Sequence, residues 1–265
     1  MKPASKDLNM QRRPNQFELF EALIVRDLMA RFGRNHLGFL WTILEPMILC
    51  SGVMLMWSLI KEPFIHEIPI VTFVLTGYMP LTLWRHMTNA LLRLLRNNAN
   101  LLYHQPISHI HLIVARMVVE FLSASIALGV IYFIVRSIGI VDPIQDFGLT
   151  LSGWLFTGWY FGAIGLLLGV WAEIWDPAEK FIQPLQYLQL PISGVFFMVD
   201  WLPAWARELL LLNPAVHCFE MFRAGFLGET FTTYYSVPYL ATASLFMSAL
   251  AGVALFNVRD RIQMS

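Results

Sequence analysis

The sequence predicts an all-α integral membrane protein with six transmembrane helices, an N-terminal interfacial amphipathic helix and a re-entrant helical hairpin between helices 5 and 6. Three observations carry that prediction. The 265 residues are 57% hydrophobic and 14% charged, with a mean hydropathy of +0.58, a balance too apolar for an ordinary soluble domain. Runs of about 20 mainly apolar residues, the length that crosses a bilayer, recur six times. A basic stretch from Arg31 to Arg34 leads directly into the first run, which carries Glu45 and Pro46. A carboxylate near a bilayer centre costs about 2.5 to 3.5 kcal/mol on insertion scales, so Glu45 is expected to face protein or water.

Residues 1–36 are polar and charged and read as a cytoplasmic tail and interfacial helix, followed by a transmembrane domain over 37–265. Within 15–34, Phe17, Phe20, Ile24 and Leu28 recur at helical spacing, and Asp27 precedes Arg31 by four residues, the favourable order for a pair. Such a helix sinks its apolar face into the headgroup boundary while its arginines meet anionic lipid. No cleavable signal peptide is evident, because the first apolar run is long enough to span.

The six spans are expected at 37–60, 68–92, 112–135, 149–172, 181–199 and 236–256. Six crossings put both termini on one side. Of the 18 Lys and Arg residues, 13 fall on the N-terminal side, four on the other, and Arg85 lies inside a span, so both termini are expected in the cytoplasm. Cys50 and Cys218 read as packing residues.

The connection after the second span contains Asn97, Asn98, Leu101, Leu102 and Tyr103 ahead of Gln105-Pro106, which suggests a short projecting helix. Its apolar residues would make an odd surface without a partner. The connection over 200–235 holds two apolar helical stretches, 202–212 and 215–227, broken by Asn213-Pro214. At about 16 and 20 Å neither crosses a hydrocarbon core of about 30 Å. They read as a re-entrant hairpin, with Trp201 and Trp205 at the outer interface, where indole is favoured.

Glu45, Arg85 and Glu120 each fall about 10 to 12 Å into their spans at 1.5 Å per residue. That depth permits a Glu45–Arg85 pair that fixes helix packing, or a polar wall along a hydrated pathway. Among the aromatic residues, Trp41 and Tyr187 are the two expected to face such a pathway. No Gly-x-x-x-x-Gly-Lys-Ser/Thr stretch, His-Glu-x-x-His metal motif or Gly-x-Ser-x-Gly elbow occurs, so the chain is not expected to cradle ATP or to be an enzyme. His104, His109 and His111 read as solvated or interfacial rather than as a metal site, and a net charge of zero gives no argument for nucleic acid.

The chain resembles the six-span permeases of ABC-2 type exporters, and within them the capsular polysaccharide export permeases of KpsM type. The resemblance rests on Arg31-Phe-Gly, Leu37-Gly-Phe-Leu-Trp-Thr-Ile-Leu-Glu-Pro46, Gly77-Tyr-Met-Pro80, Leu202-Pro-Ala-Trp205, Leu212-Asn-Pro-Ala-Val-His217 and Glu220-Met-Phe-Arg223. It implies a homodimer forming a channel, with two copies of a separate ATPase subunit that holds ATP and Mg, exporting a lipid-linked polysaccharide across the inner membrane of Gram-negative bacteria. It also implies a periplasmic co-polymerase and an outer-membrane export protein as further partners. By the same resemblance Asn97, Asn98, Leu101, Leu102 and Tyr103 couple to the ATPase. Arg31, Arg34, Trp41, Glu45, Arg85 and Tyr187 would lie along the substrate pathway, beside a lipid access point. Trp201, Trp205, Arg207, Asn213, Pro214, His217, Glu220 and Arg223 would form a periplasmic gate. An ABC-2 exporter of another substrate (O-antigen, lipid or drug) and a membrane-embedded lipid-modifying enzyme are the alternative readings.

Overall fold

A backbone in lipid must satisfy its own hydrogen bonds, and a helix does so within one segment. The computed structural model describes residues 16–32, 37–62, 64–92, 94–98 and 108–262, and among them ten α-helices and one two-stranded hairpin form the fold. In chain order these are α1 (Gln16–Phe32), α2 (Leu37–Ile60), β1 (Phe64–Ile65), β2 (Ile68–Pro69), α3 (Ile70–Leu91), α4 (Leu94–Asn97), α5 (His109–Ser137) and α6 (Phe147–Ile174). They continue with α7 (Ala178–Gln189), α8 (Ala204–Leu210), α9 (Pro214–Leu227) and α10 (Val237–Ile262).

Three helices among the described residues are long and apolar enough to cross a membrane: α5, α6 and the Val237–Val258 part of α10. The described apolar part of α2, Leu44–Ile60, is shorter. The 22 residues of α3 reach about 33 Å, but the helix carries Thr72, Thr76, Thr82, Arg85, His86, Thr88 and Asn89. It tolerates them because it packs against α2, α5, α6 and α9 rather than lying in the open. Small residues let it approach α6 closely, as in membrane helix pairs generally: a Cβ on Gly169 would sit 2.7 Å from the carbonyl oxygen of Leu91, and one on Gly165 3.0 Å from that of Met87. Cys50 and Cys218 are both free and buried, in keeping with a packing role.

Two expectations are corrected here. The run at 181–199 is not one continuous helix. Helix α7 ends at Gln189 after 12 residues, about 18 Å; a 3-10 turn over Leu190–Ile192 follows, and the chain then runs irregularly to a second such turn at Val199–Trp201. Pro191 removes a helical donor, and Gly194 adopts φ +92°, which a helix excludes. Hydropathy reported the apolarity of this stretch correctly but not the continuity of its backbone. The second correction concerns α1, whose Leu19, Phe20, Leu23 and Ile24 turn toward protein, while the side chains of Phe17 and Leu28 lie outside the described residues. Leu23 is buried, and Leu19, Phe20 and Ile24 pack with it on a cluster that includes Leu91, Leu94, Leu112 and Leu255.

The β-hairpin between α2 and α3 pairs Phe64 with Pro69 and Ile65 with Ile68. Its turn residues, His66 (φ 48°) and Glu67 (φ 68°), both have positive φ without being glycine. That conformation matches the strand twist but costs about 1 to 2 kcal/mol at a residue bearing a Cβ. His66 offsets part of this by stacking on Trp201 at 4.4 Å. Glu67→Gly is therefore expected to raise stability by about 1 kcal/mol, read as a higher melting temperature in detergent, whereas unchanged melting would mean the turn relaxes without strain.

Candidate functional site

The irregular backbone after α7 leaves carbonyls that no helix satisfies, and α9 supplies their partners. Arg223 is fully buried. Its Nη1 donates to the carbonyls of Gly194 (2.6 Å) and Phe197 (2.7 Å), its Nη2 to that of Val195 (2.9 Å) and its Nε to Thr76 Oγ1 (3.4 Å). The guanidinium also lies 4.6 Å from the Phe73 ring centroid. One turn earlier on the same helix face, buried Glu220 accepts from the backbone N–H of Val199 (3.1 Å) and of Tyr234 (2.9 Å). The two residues thus clamp both stretches that flank the hairpin onto α9 and α3.

Other residues expected at the gate are fasteners of the same kind. The Asn213 side chain caps α9 by accepting from the Ala215 N–H (3.1 Å) and donates to the Ile192 carbonyl (3.0 Å), while Pro214 occupies the first helical turn, where a missing N–H is harmless. His217 Nδ1 accepts from the Ser236 N–H (3.0 Å), which leaves Nε2 to donate to the Leu211 carbonyl (2.8 Å). These contacts hold one neutral tautomer, and burial pushes the imidazole pKa down in the same sense. Arg207 donates to Tyr234 Oη (2.6 Å) and to the carbonyls of Asp200 and Leu202. It also stands 4.4 Å over the Tyr234 ring. Trp201 is half-buried against His66 and Phe73, whereas Trp205 is 73% exposed.

Helix α3 leaves only Val71, Tyr78, Arg85, His86 and Asn89 less than fully buried. Val71, Tyr78, Arg85 and Asn89 recur at intervals of seven and four and form one stripe along the helix. Beside that stripe stands α7, with Arg85 5.9 Å from the Tyr187 ring centroid. Arg85, Asn89, Gln183, Gln186 and Tyr187 line a small polar cavity of about 20 Å³, room for a single water. The structure therefore brings together two residues expected along the pathway, Arg85 and Tyr187. Trp41 and Glu45 lie elsewhere, on an exposed face of α2 that continues through Leu49, Leu55 and Leu59.

Among the described residues no ion pair joins Glu45 to Arg85, so the pairing that their equal depth permits is not formed. Buried Glu120 lies 3.5 Å from Arg116 and 3.7 Å from His86. Arg116 in turn holds both oxygens of Asp27 at 2.8 Å, the carboxylate whose helical spacing suggests Arg31. Equal depth placed Glu45, Arg85 and Glu120 at one level, but rotation about each axis directs them to different neighbours. Residue 86 is turned about 100° from residue 85, toward α5.

At the same end of the bundle, Asn98 accepts from Arg26 (2.9 Å) and donates to the Leu94 carbonyl (2.8 Å). Arg96 binds Glu173 (3.4 Å) and Asp176 (2.7 Å) at the end of α6. Asn97 is exposed. Leu101, Leu102, Tyr103 and Arg34 lie outside the described residues, as does the side chain of Arg31. Sequence reasoning missed this network of Arg26, Asp27, Arg96, Arg116 and Glu173. Its one visible signal is that these charges sit at the ends of apolar helices.

A family model described as ABC-2 type transporter matches residues 18–227. The capsule polysaccharide export inner-membrane protein CtrC of Neisseria meningitidis serogroup A is 35% identical over 244 residues, covering 91% of this chain and 92% of the relative. BexB of Haemophilus influenzae, with the same description, is 32% identical over 94% of each chain. The polysialic acid transport protein KpsM of Escherichia coli is 26% identical over 92% of this chain and 95% of its own length. With four-fifths of its length matched by the family and relatives above 30% identity aligned nearly end to end, the chain belongs to the ABC-2 type transporter family.

Proposed function

We propose that this chain is the membrane permease of an ATP-driven exporter that moves a lipid-linked capsular polysaccharide across the bacterial inner membrane. The observation that carries the reading is the alignment with capsule export inner-membrane proteins over more than nine-tenths of both partners. The exposed α2 face supports assembly with a second copy. It carries Trp41 and Glu45 among aliphatic residues, and a carboxylate at that depth calls for protein or water rather than lipid. Between two copies, the uncovered stripe of α3 and the polar cavity at Arg85 and Tyr187 would line the route. There a cationic side chain attracts an anionic polymer, and an aromatic face lets sugar rings slide.

In this reading the chain crosses the membrane six times, the fifth crossing being completed by α7 together with the clamped stretch after it, and both termini are cytoplasmic. The hairpin of α8 and α9 lies at the periplasmic side, where it would close the exit and face a co-polymerase and an outer-membrane export protein. Arg31 and Arg34 would meet the substrate near its point of access. ATP and Mg would be held by two ATPase subunits docked at Asn97, Asn98, Leu101, Leu102 and Tyr103. That end is braced for load: the Arg26–Asn98 and Arg96–Glu173 bonds tie the docking segment to α1 and α6.

Co-expression with a candidate ATPase subunit of a capsule exporter is the direct test. The pair is expected to co-elute and to hydrolyse ATP, and Leu101→Asp is expected to abolish co-elution while membrane insertion stays normal. Normal co-elution of that variant would move the contact elsewhere. A chain that acts alone on a lipid substrate would overturn the transporter reading.

A further inference from the structure

Helices α5, α6 and α9 enclose a groove of about 590 Å³ that the roles assigned above leave unused, within the range of about 300 to 1,000 Å³ typical of ligand sites. Its walls include Phe121, Leu122, Leu128, Phe147, Leu151 and Phe226. The polar atoms that reach it are engaged internally. Trp154 Nε1 donates to Ser125 Oγ (2.8 Å), which donates to the Phe121 carbonyl (2.7 Å); Tyr132 Oη accepts from the Ile144 N–H (3.1 Å); Thr150 Oγ1 donates to the Asp146 carbonyl (2.8 Å). What the groove offers an occupant is therefore apolar surface.

Gly129 lies in its wall, and a Cβ there would meet nothing within 4 Å. Glycine in a helix interior costs roughly 0.5 to 1 kcal/mol relative to alanine, and no neighbouring protein atom needs the space it leaves. The α5 wall runs from Phe121 to Tyr132, about 16 Å. That is half of a hydrocarbon core of about 30 Å, the depth of one leaflet. One turn beyond Tyr132 on the same face stands Arg136, exposed at the end of the helix, with a long 3.5 Å bond to the Val141 carbonyl.

We infer that this groove holds one acyl chain of a bilayer phospholipid, whose phosphate is met by Arg136. The inference rests on α5 and α6 crossing the bilayer. An apolar trough one leaflet deep, a missing side chain where the occupant lies and a cation at the headgroup level together match an anionic glycerophospholipid resident on the protein.

The test uses the full chain in nanodiscs containing phosphatidylglycerol with a photoactivatable diazirine in its acyl chain, with adducts mapped by peptide mass spectrometry. Adducts are expected on groove residues of 121–132 and 143–154, and Gly129→Trp, which fills the groove where no protein atom stands, is expected to reduce them to background. Gly129→Ala leaves most of the space and is expected to retain them. Arg136→Gln is expected to weaken the preference for phosphatidylglycerol over phosphatidylcholine by about fivefold, the effect of one basic side chain near an anionic surface. Labelling of the outward residues Ile126, Val130 and Phe133 with none in the groove would overturn the inference while leaving the bilayer placement intact. Absence of labelling at both would overturn the placement itself. Groove adducts that persist in Gly129→Trp, or cross-links from the groove to a second copy of the chain, would also overturn the inference.

Discussion

Arg223→Ala is expected to remove most of the folded population. The substitution strips the buried carbonyls of Gly194 and Val195 and the partly buried carbonyl of Phe197 of their donor at once. Each orphaned buried group costs about 1 to 3 kcal/mol, against a net stability of about 5 to 15 kcal/mol for a typical domain. Arg223→Lys keeps the charge but offers a compact ammonium in place of the planar fork that reaches three acceptors, so partial rescue is expected. Thermal unfolding in detergent should rank wild type above Arg223→Lys, and Arg223→Lys above Arg223→Ala. Melting of Arg223→Ala within about 1 kcal/mol of wild type, below the cost of even one such orphaned group, would show that the stretch after α7 supports itself without the clamp.

The clamp explains where sequence reasoning succeeded and where it stopped. Apolar runs placed the long helices within a few residues: 37–60 against Leu37–Ile60, 68–92 against Ile70–Leu91, 149–172 against Phe147–Ile174. Hydropathy sums over side chains, and those sums follow burial whether the backbone is helical or not. At 181–199 the same apolarity covers a 12-residue helix and an irregular stretch, legible only in Pro191 and Gly194. The Glu-x-x-Arg motif singles out Glu220 and Arg223, but periodicity cannot say that both are wholly buried and bind backbone. Depth arithmetic likewise yields the axial coordinate of Glu45 and Arg85 and leaves the angular one open. The Arg116–Asp27 bond joins residues 89 positions apart, a separation that no local pattern reports.

Gly225→Leu should be nearly as damaging as Arg223→Ala, and Gly129→Leu should be harmless, though both put the same side chain in place of a helical glycine. Helices α6 and α9 meet backbone to backbone. A Cβ on Gly153 would lie 2.7 Å from the Phe222 nitrogen, and one on Gly225 would lie 2.7 Å from the Thr150 Cα and closer still to its nitrogen and Oγ1. The obstacle is main chain, so no rotamer change relieves it and the helices must part. Parting them stretches the 2.9 Å bond from the Asp146 N–H to the Gly225 carbonyl and draws α9 away from the loop it clamps. Overpacking usually costs about 1 to 3 kcal/mol, and here the lost backbone bond and the weakened clamp add to it. At Gly129 the new side chain enters open groove, and better helix propensity gives a gain of up to about 1 kcal/mol. Melting curves of the two variants in one detergent should therefore move in opposite directions from wild type. If both stayed at the wild-type temperature, α6 and α9 would have to be free to separate without loss, and the clamp on α9 could not be what holds the stretch after α7 in place.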